Sequence, residues 1–360
     1  MTTAVAVATV GCTTDDSDDG LDEAVQKNGH IGNTSKDNFR QHELVRYATL
    51  APSSHNTQCW KFQLAESAIS IVPDLVRRCP VVDPDDHHLF VSLGCATENL
   101  VLAAEGQGMD SVVKFESTPV ELIRIAFQPT PLNSKPTIQS SLFAAIPQRQ
   151  STRCEYDGKP LNSEELSLLE KAGSGDGVHV QLLTDRPAIE QVLEYVIQGN
   201  TTQLNDPAFV NELKHWIRFS DAEAIRKGDG LWSRSTGNPS IPRWLAAPLL
   251  KMFLSARSEN DKYAKQVRSS AGIAVFSSDA NDKSHWMAVG RCFQRFALQA
   301  TVLGIRTAHI NQPVEVAALR SQFASALGIR NRRPDLVVRF GHGPLMPQSR
   351  RRSVDDVIIS

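Results

Sequence analysis

The chain carries the segment Gly94-Cys-Ala-Thr-Glu-Asn-Leu-Val-Leu-Ala-Ala-Glu-Gly-Gln-Gly108 and, later, the segment Gly290-Arg-Cys-Phe-Gln-Arg-Phe-Ala-Leu-Gln-Ala-Thr-Val-Leu-Gly304. The glycines match in position, and Leu102 of the first segment corresponds to Leu298 of the second. Each segment has an apolar helical pattern with small residues where two helices can pack closely, and each precedes a short strand pattern. The sequence therefore predicts one fold that is present twice.

The elements around the two segments follow the same order. In the first part, we expect a helix at 38–50, a hairpin at 60–64 and 68–72, a helix at 89–106 and strands at 112–115 and 122–127. In the second part, we expect a helix after the N-cap Asn162, strands at 178–183 and 273–276, a helix at 286–303 and strands at 307–310 and 336–340. This order predicts an α+β fold of two tandem, pseudo-symmetric halves, each with a mostly antiparallel sheet flanked by helices.

We expect residues 1–38 to lie outside this fold. Val10-Gly11-Cys12 resembles the end of a lipoprotein signal, and an acidic, tether-like stretch follows it. Two hypotheses stay open: an exported protein with a signal remnant that tethers it to a membrane, or a cytoplasmic protein with a disordered leader. The fold itself divides into a first half, 39–145, and a second half, 146–360.

The second half differs from the first by an insert at about 185–268, placed where the first half has a tight turn. The insert combines a helical stretch at 206–219 with glycine and proline punctuation around tryptophans. This composition is compatible with a structured loop that covers a site, and equally with a peripheral subdomain.

Composition excludes several classes of protein. With a formal net charge of −2, the chain has neither the basic face of a nucleic-acid-binding protein nor an acidic excess. The six cysteines form no CxxC pair, so buried free thiols are expected rather than a disulfide framework or a zinc site. His87 and His88 are adjacent, and because adjacent residues of a helix or strand point apart, no metal site is predicted.

Two loops carry candidate binding chemistry. In the extended segment 149–153, Arg149, Ser151 and Arg153 share one face and can offer two guanidinium groups and a hydroxyl to one anion such as a phosphate. The alternative is a solvated, charged linker. The loop 51–58 places hydroxyls, an imidazole and two side-chain amides directly after a helix end, where they can bind a heteroaromatic ligand. The alternative there is ordinary turn chemistry.

Three segments together resemble the flavin-dependent nitroreductase superfamily. The loop Ala51-Pro-Ser-Ser-His-Asn-Thr-Gln-Cys-Trp60 resembles its signature loop, 149–153 resembles its flavin-phosphate loop, and 349–357 resembles its C-terminal basic element. Ordinary members are homodimers with FMN at the subunit interface. The insert motifs 228–231 and 237–239 resemble the Acg-like branch, in which two such units are fused. The resemblance implies an internal dimer that can act as a monomer. Because the loop 51–58 occurs only in the first half, and the arginine loop and basic tail only in the second, we expect one FMN per chain.

The resemblance also implies which residues bind FMN. The phosphate and ribityl chain are assigned to Arg149, Gln150, Ser151 and Arg153, joined by Arg350 or Arg352. The isoalloxazine ring is assigned to Pro52, Ser53, Ser54, Asn56 and Gln58, with Asn311 and Gln312 near its N5 edge.

The resemblance implies an oxidoreductase that transfers hydride from NAD(P)H through FMN to a small-molecule electron acceptor of quinone-like or nitroaromatic type. Because the redox chemistry belongs to the flavin, no catalytic side chain or metal is required. The alternative hypothesis is a protein that stores or sequesters FMN, in which the insert covers the flavin and turnover is slow.

Overall fold

The computed structural model describes residues 36–118, 120–130, 139–246, 248, 255–329 and 332–359. The chain divides into two units, Met1–Arg40 and Gln41–Ser360. The predictions made for 1–38 fall almost entirely outside the described residues.

Helices and strands are interspersed along the described residues. The helices are α1 (Lys36–Thr49), α2 (His87–Gly106), α3 (Gln139–Ala145), α4 (Ser163–Gly173), α5 (Arg186–Asn205), α6 (Pro207–Trp216), α7 (Asp221–Lys227), α8 (Ala256–Arg268), α9 (Lys283–Val302), α10 (Gln312–Glu315) and α11 (Ala317–Ala326). The strands are β1 (Trp60–Ala65), β2 (Ala68–Pro73), β3 (Met109–Glu116), β4 (Leu122–Pro129), β5 (Val178–Leu183), β6 (Ile217–Arg218), β7 (Leu231–Trp232), β8 (Gly272–Ser278), β9 (Ile305–His309), β10 (Arg333–His342) and β11 (Ile358–Ile359).

Two larger sheets repeat one topology. The first has the order β11-β1-β2-β4-β3 and the second the order β5-β8-β10-β9. Strands β1 to β4 pair antiparallel, and so do the four strands of the second sheet. In both sheets, a long helix, α2 or α9, joins the second strand to the third. The predicted α+β architecture with two antiparallel sheets is confirmed.

The long helices α2 and α9 touch at the two glycines that open the repeated segments. A Cβ atom on Gly94 would lie 2.1 Å from the Met287 carbonyl oxygen, and one on Gly290 would lie 1.9 Å from that of Val91. Beside this crossing, the Gln294 amide donates to Asn99 Oδ1 over 2.6 Å. The two backbones are thus in direct contact, as the small residues predicted.

Helix α2 forms the centre of the core, since its residues from His87 to Ala104 are buried on every face. Its apolar side chains pack in one cluster with residues of both larger sheets, including Phe62 and Phe276. Within the described residues, none of the helices combines the length and apolar character needed to span a membrane. The five described cysteines are free thiols, four of them buried, which confirms the prediction for those positions.

The insert lies between β5 and β8, at the position where β1 and β2 are joined by residues 66–67. Its described residues include helices α5 to α8 and the short parallel pair of β6 with β7. The helix predicted at 206–219 is observed as α6, whereas α5 and α8 were not predicted. At the other end of the chain, β11 adds to the edge of the first sheet, parallel to β1, with Ile358 opposite Phe62.

Candidate functional site

Two adjoining cavities bring the predicted loops together. The smaller is lined by Leu50, Pro52, Ser53, Asn56, Ile146, Pro147, Arg149, Gln150, Ser151, Arg153, Pro347, Gln348, Ser349 and Arg351. The larger has a volume of about 240 Å³ and shares Pro52, Ser53, Ser151 and Arg153 with the smaller. Because four residues line both, the two cavities form one continuous site with a polar end and a wider end.

Arg149 makes the polar end suitable for an anion. Its side chain is 7% exposed, and its Nη2 donates to the Leu50 carbonyl over 3.2 Å. Its Nε and Nη1 atoms have no hydrogen-bond partner among the described residues. Burial lowers the pKa of Arg149 to about 10, because the low-dielectric surroundings disfavour its charge. An anionic group such as a phosphate would satisfy these donors, so the residues present fit the predicted phosphate site.

The loop 149–153 is held in an extended conformation by its neighbours. Ser151 forms a parallel bridge with Thr307 of β9, and the Thr152 amide donates to the Thr307 carbonyl over 2.9 Å. The fully buried Arg339 donates to the carbonyls of Thr152 and Cys154 over 3.1 and 2.9 Å. This backbone arrangement places Arg149, Ser151 and Arg153 at the smaller cavity together.

Gln150 has a different position in that loop. Its Oε1 accepts from the Met346 amide over 2.7 Å, which ties the loop to the C-terminal segment. Gln150 also lines the smaller cavity. The structure therefore places it beside the predicted phosphate position, with its side-chain oxygen already bonded to backbone.

The signature loop adopts a strained backbone. His55, Asn56 and Gln58 have positive φ angles of 49°, 52° and 53°. Non-glycine residues adopt this region at a cost, and they keep it only where surrounding contacts impose it. Pro52, Ser53 and Ser54 of this loop line the larger cavity.

Contacts to the insert and the tail impose this loop conformation. The Asn56 Nδ2 donates to the carbonyls of Gly230 and Arg350 over 3.1 and 3.0 Å. The Gln58 Nε2 donates to the Gly228 carbonyl over 2.7 Å. Asn56 still borders the smaller cavity, whereas the fully buried Gln58 lines neither. The structure thus places Gln58 behind the loop, where it supports the backbone.

Among the three tail arginines, Arg351 is the one that lines the smaller cavity. It donates to the carbonyls of Thr49, Leu50 and Ala51, and so anchors the end of α1. Arg350 lies over the Trp232 ring at 5.2 Å, and Arg352 donates to the Asp356 carbonyl over 2.6 Å. Neither lines a described cavity. The binding roles of Arg350 and Arg352 stay predictions, and sequence reasoning missed Arg351.

The segment around α10 borders the wider end. Asn311 and Gln312 both line the larger cavity. The Asn311 Oδ1 accepts from the Val337 amide over 2.9 Å, while Gln312 Oε1 is buried and has no partner in the described part of the chain. Glu315 follows, and its Oε2 accepts from Gln203 over 2.7 Å. Burial raises the pKa of Glu315.

Two histidines of the larger cavity are neutral at physiological pH. Burial, strengthened by the positive charge of Arg153, lowers the pKa of His55 to about 4 and that of His309 to about 3. His309 also meets the edge of Phe293, with ring centroids 4.6 Å apart. The wider end therefore offers neutral imidazoles and an aromatic face, which suit an uncharged ring better than a phosphate.

The insert supplies eight of the residues that line the larger cavity. Sequence reasoning allowed for an insert that covers the site but named none of these residues. The residues are Asn200, Gln203 and Leu204 of α5, Phe209 and Leu213 of α6, Leu231 of β7, and Glu259 and Tyr263 of α8. The i, i+3 spacing of Asn200 and Gln203 on one face of a helix was the available signal.

His87 and His88 do not point apart as the sequence argument assumed. Their ring centroids are 4.7 Å apart, and with Asp83 they form a buried group whose ligand atoms lie within 4.8 Å of one another. The Asp83 carboxylate accepts from the amides of His88 and Leu89, and His87 Nε2 lies 2.8 Å from Asp335 Oδ1. The group thus ties the start of α2 to β10.

Comparison with known proteins finds relatives that span nearly the full length of the chain. No family model matches it. A Mycobacterium tuberculosis protein named "Putative NAD(P)H nitroreductase" is 24% identical over 328 residues, covering 88% of this chain and 90% of the relative. A second protein of that organism, named "Putative NAD(P)H nitroreductase acg", is 22% identical over 324 residues, covering 87% of this chain and 93% of the relative.

Solved structures with local similarity include two nitroreductases. One, from Bacteroides fragilis with bound FMN, is 16% identical and covers 59% of this chain and 95% of its own, with a TM-score of 0.36. The other, the FMN-dependent nitroreductase NfnB from Mycobacterium smegmatis in complex with NADPH, is 14% identical and covers 57% and 89%, also with a TM-score of 0.36.

Proposed function

We propose that the chain belongs to the nitroreductase superfamily, as its near-full-length relatives indicate, and that it is an FMN-dependent oxidoreductase that couples oxidation of NAD(P)H to reduction of quinone-like or nitroaromatic acceptors. One observation carries the proposal: a buried arginine, Arg149, has two unpartnered donors, counted over the described residues, in a cavity continuous with a wider, partly aromatic one. When bound, FMN supplies the redox chemistry by exchanging two electrons with each substrate in turn.

The residues of the polar end would hold the FMN phosphate. Arg149 and Arg153 are guanidinium groups at the same cavity, with the Ser151 hydroxyl between them in sequence. Charge-assisted hydrogen bonds from arginine to a phosphate are about twice as strong as neutral ones. Gln150 lies beside them in the sequence, and Arg350 or Arg352 of the tail would add positive charge.

The residues of the wider end would position the isoalloxazine ring. Pro52, Ser53, Ser54, Asn311 and Gln312 all line the larger cavity. The buried, unpartnered Oε1 of Gln312, described above, is available to accept a hydrogen bond from a ring N–H group. These residues orient a ring and exclude water, and none of them needs to act as an acid or base.

The proposal includes one FMN per chain and a site that needs no second copy. The strained loop comes from the first half, and the arginine loop and tail come from the second. The segments in corresponding positions, 173–177 and 33–37, lack the loop residues and the arginine pair. A single chain therefore has the parts for one site, and a measured stoichiometry of two FMN per chain would contradict this.

The absorbance spectrum of the purified protein, followed by anaerobic addition of NADPH, tests the proposal. We expect a flavin band that NADPH bleaches rapidly and that a naphthoquinone restores. A colourless protein that takes up no added FMN would refute it. Slow bleaching by both NADH and NADPH in a flavin-loaded protein would instead favour FMN storage, a function that none of the relatives named above carries in its description.

A further inference from the structure

The larger cavity has two chemically different sides. The side formed by 52–55, 151–153 and 309–312 contains the residues proposed to hold FMN. Another part of its lining comes from the insert. If the proposed function holds, the insert wall is the surface that a second molecule meets when it stacks on the bound ring. The side chains of that wall then decide which acceptors fit.

Helix α8 presents one face to the site. Glu259, Tyr263 and Gln266 are spaced i, i+4 and i+7, so they lie along the same side of the helix. Gln266 donates from Nε2 to the Arg153 carbonyl over 2.7 Å, and its own carbonyl accepts from Arg339 over 3.3 Å. These bonds fix the helix against the arginine loop. Glu259 and Tyr263 consequently face the larger cavity, which both of them line.

Tyr263 is held as a hydrogen-bond donor. Burial, together with the negative charges of Glu259 and Glu315, raises the pKa of Tyr263 to about 12, and this outweighs the opposite effect of a side-chain hydrogen bond with Gln312 and of the positive charge of Arg153. Its phenol therefore keeps its proton at physiological pH. A phenolic O–H that faces a cavity can donate to a carbonyl or nitro oxygen, and this contact strengthens as negative charge develops on that oxygen.

Glu259 brings negative charge to the same wall. Its half-buried side chain has no ion-pair or hydrogen-bond partner among the residues that the structure describes. The remaining insert residues of the cavity are largely apolar, with Leu204, Phe209 and Leu213 beside the polar Asn200. The wall thus combines an apolar surface for a flat ring, one donor and one uncompensated carboxylate.

We propose that this insert wall selects the electron acceptor: Tyr263 donates to its reducible oxygen, and Glu259 disfavours any acceptor with an anionic group. The acceptors of this protein are then uncharged or cationic aromatic carbonyl or nitro compounds. The proposal rests on the proposed function, since it concerns the second substrate of the same site.

Two quinones and two matched pairs of variants test the proposal on FMN-loaded protein. The quinones are 2-methyl-1,4-naphthoquinone, which is uncharged, and 1,2-naphthoquinone-4-sulfonate, which is anionic. We expect Glu259→Gln to raise kcat/KM for the sulfonate by roughly tenfold, the size expected for like charges in a partly screened cavity. The kcat/KM for the uncharged quinone should change less, so the ratio of the two values should rise. Glu194→Gln removes the same charge from an exposed position of α5 and should change neither value.

Tyr263→Phe should lower kcat/KM for both quinones by about 10- to 100-fold, somewhat less than the loss of a strong oxyanion donor. The rate at which NADPH reduces the flavin should fall by a smaller factor than the kcat/KM for either quinone. Tyr195→Phe, on the insert but outside the cavity lining, is the control. An unchanged selectivity in Glu259→Gln, or unchanged quinone reduction in Tyr263→Phe, would overturn the proposal.

Binding of two unreactive ligands gives a readout without turnover. Benzamide and benzoate are similar in shape and differ in charge, and their dissociation constants follow from flavin difference spectra. We expect benzamide to bind more tightly, and Glu259→Gln to remove most of the difference. If wild-type flavin is not reduced by NADPH, the proposed function fails. If it is reduced normally while the variants behave as wild type, only the inference about the wall fails.

Discussion

Replacing Arg149 with methionine should separate stability from cofactor binding. Burial lowers the pKa of Arg149 from 12.5 to about 10 in the flavin-free protein. This shift corresponds to a cost of about 3 kcal/mol for keeping the charge buried. The substitution removes that cost and loses one hydrogen bond to the Leu50 carbonyl, worth about 1 kcal/mol. The flavin-free variant should therefore be at least as stable as the wild type.

The same substitution should weaken FMN binding strongly. The two unpartnered donors of Arg149, identified over the described residues, would each form a charge-assisted bond worth about 1.5–3 kcal/mol. Their loss corresponds to a dissociation constant at least about 100-fold higher. We would measure unfolding in urea without flavin, and FMN binding by quenching of flavin fluorescence.

The exposed Arg186, which lies outside both cavity linings, provides a control when it is replaced with methionine. Two results would refute the reasoning. One is an Arg149→Met variant that binds FMN as the wild type does. The other is a flavin-free variant that loses stability, which would show that the guanidinium supports the fold rather than the ligand.

Two further substitutions test the packing and the electrostatics. Gly290→Ala should lower the free energy of unfolding by about 3 kcal/mol, because its Cβ would meet the Val91 carbonyl at 1.9 Å. Gly304 has a φ angle of +73° and no atom within 4 Å of a Cβ position, so Gly304→Ala should lower the free energy of unfolding by only about 1 kcal/mol. If urea unfolding showed the same loss for both variants, the close contact between the two helices would be contradicted. Burial lowers the pKa of His309 from 6.5 to about 3, so below pH 6.5 the unfolded chain binds a proton that the folded one does not. In the flavin-free wild type, the free energy of unfolding should therefore decrease as the pH is lowered, by up to about 1.4 kcal/mol per pH unit more than in His309→Gln. A difference between the two proteins that stays constant between pH 7 and pH 5 would contradict this prediction.

Apolar periodicity was sufficient to predict most of the regular structure. The strand predicted at 178–183 coincides with β5, and the helix predicted at 89–106 differs from α2 only at its start. Helix α8 was missed because its sequence is largely polar and few of its side chains are buried, so it shows little apolar periodicity. Helix α5 has a buried apolar stripe, but Gly199 and the adjacent polar residues weaken the helical signal of its second half.

The candidate site was predictable in its loops but not in their partners. The spacing of Arg149, Ser151 and Arg153 placed them on one face, and all three line the smaller cavity. Arg351, rather than Arg350 or Arg352, lines the smaller cavity because of how the tail backbone packs. The Arg351 carbonyl is so close to Gly228 of the insert that a Cβ atom on this glycine would lie 2.7 Å from it. A contact of this kind between distant segments leaves no local pattern. The position of Tyr263 in the cavity lining likewise depends on contacts between distant segments, so the local sequence could not predict it.

The bond from Asn56 to the Arg350 carbonyl joins residues 294 positions apart in the sequence. Contacts of such range form late in folding, because the intervening chain must be ordered before they become favourable. During synthesis, the strained loop leaves the ribosome long before the tail that holds it. A nascent chain therefore has no finished cofactor site, and FMN can bind only after the ribosome has made nearly the entire sequence.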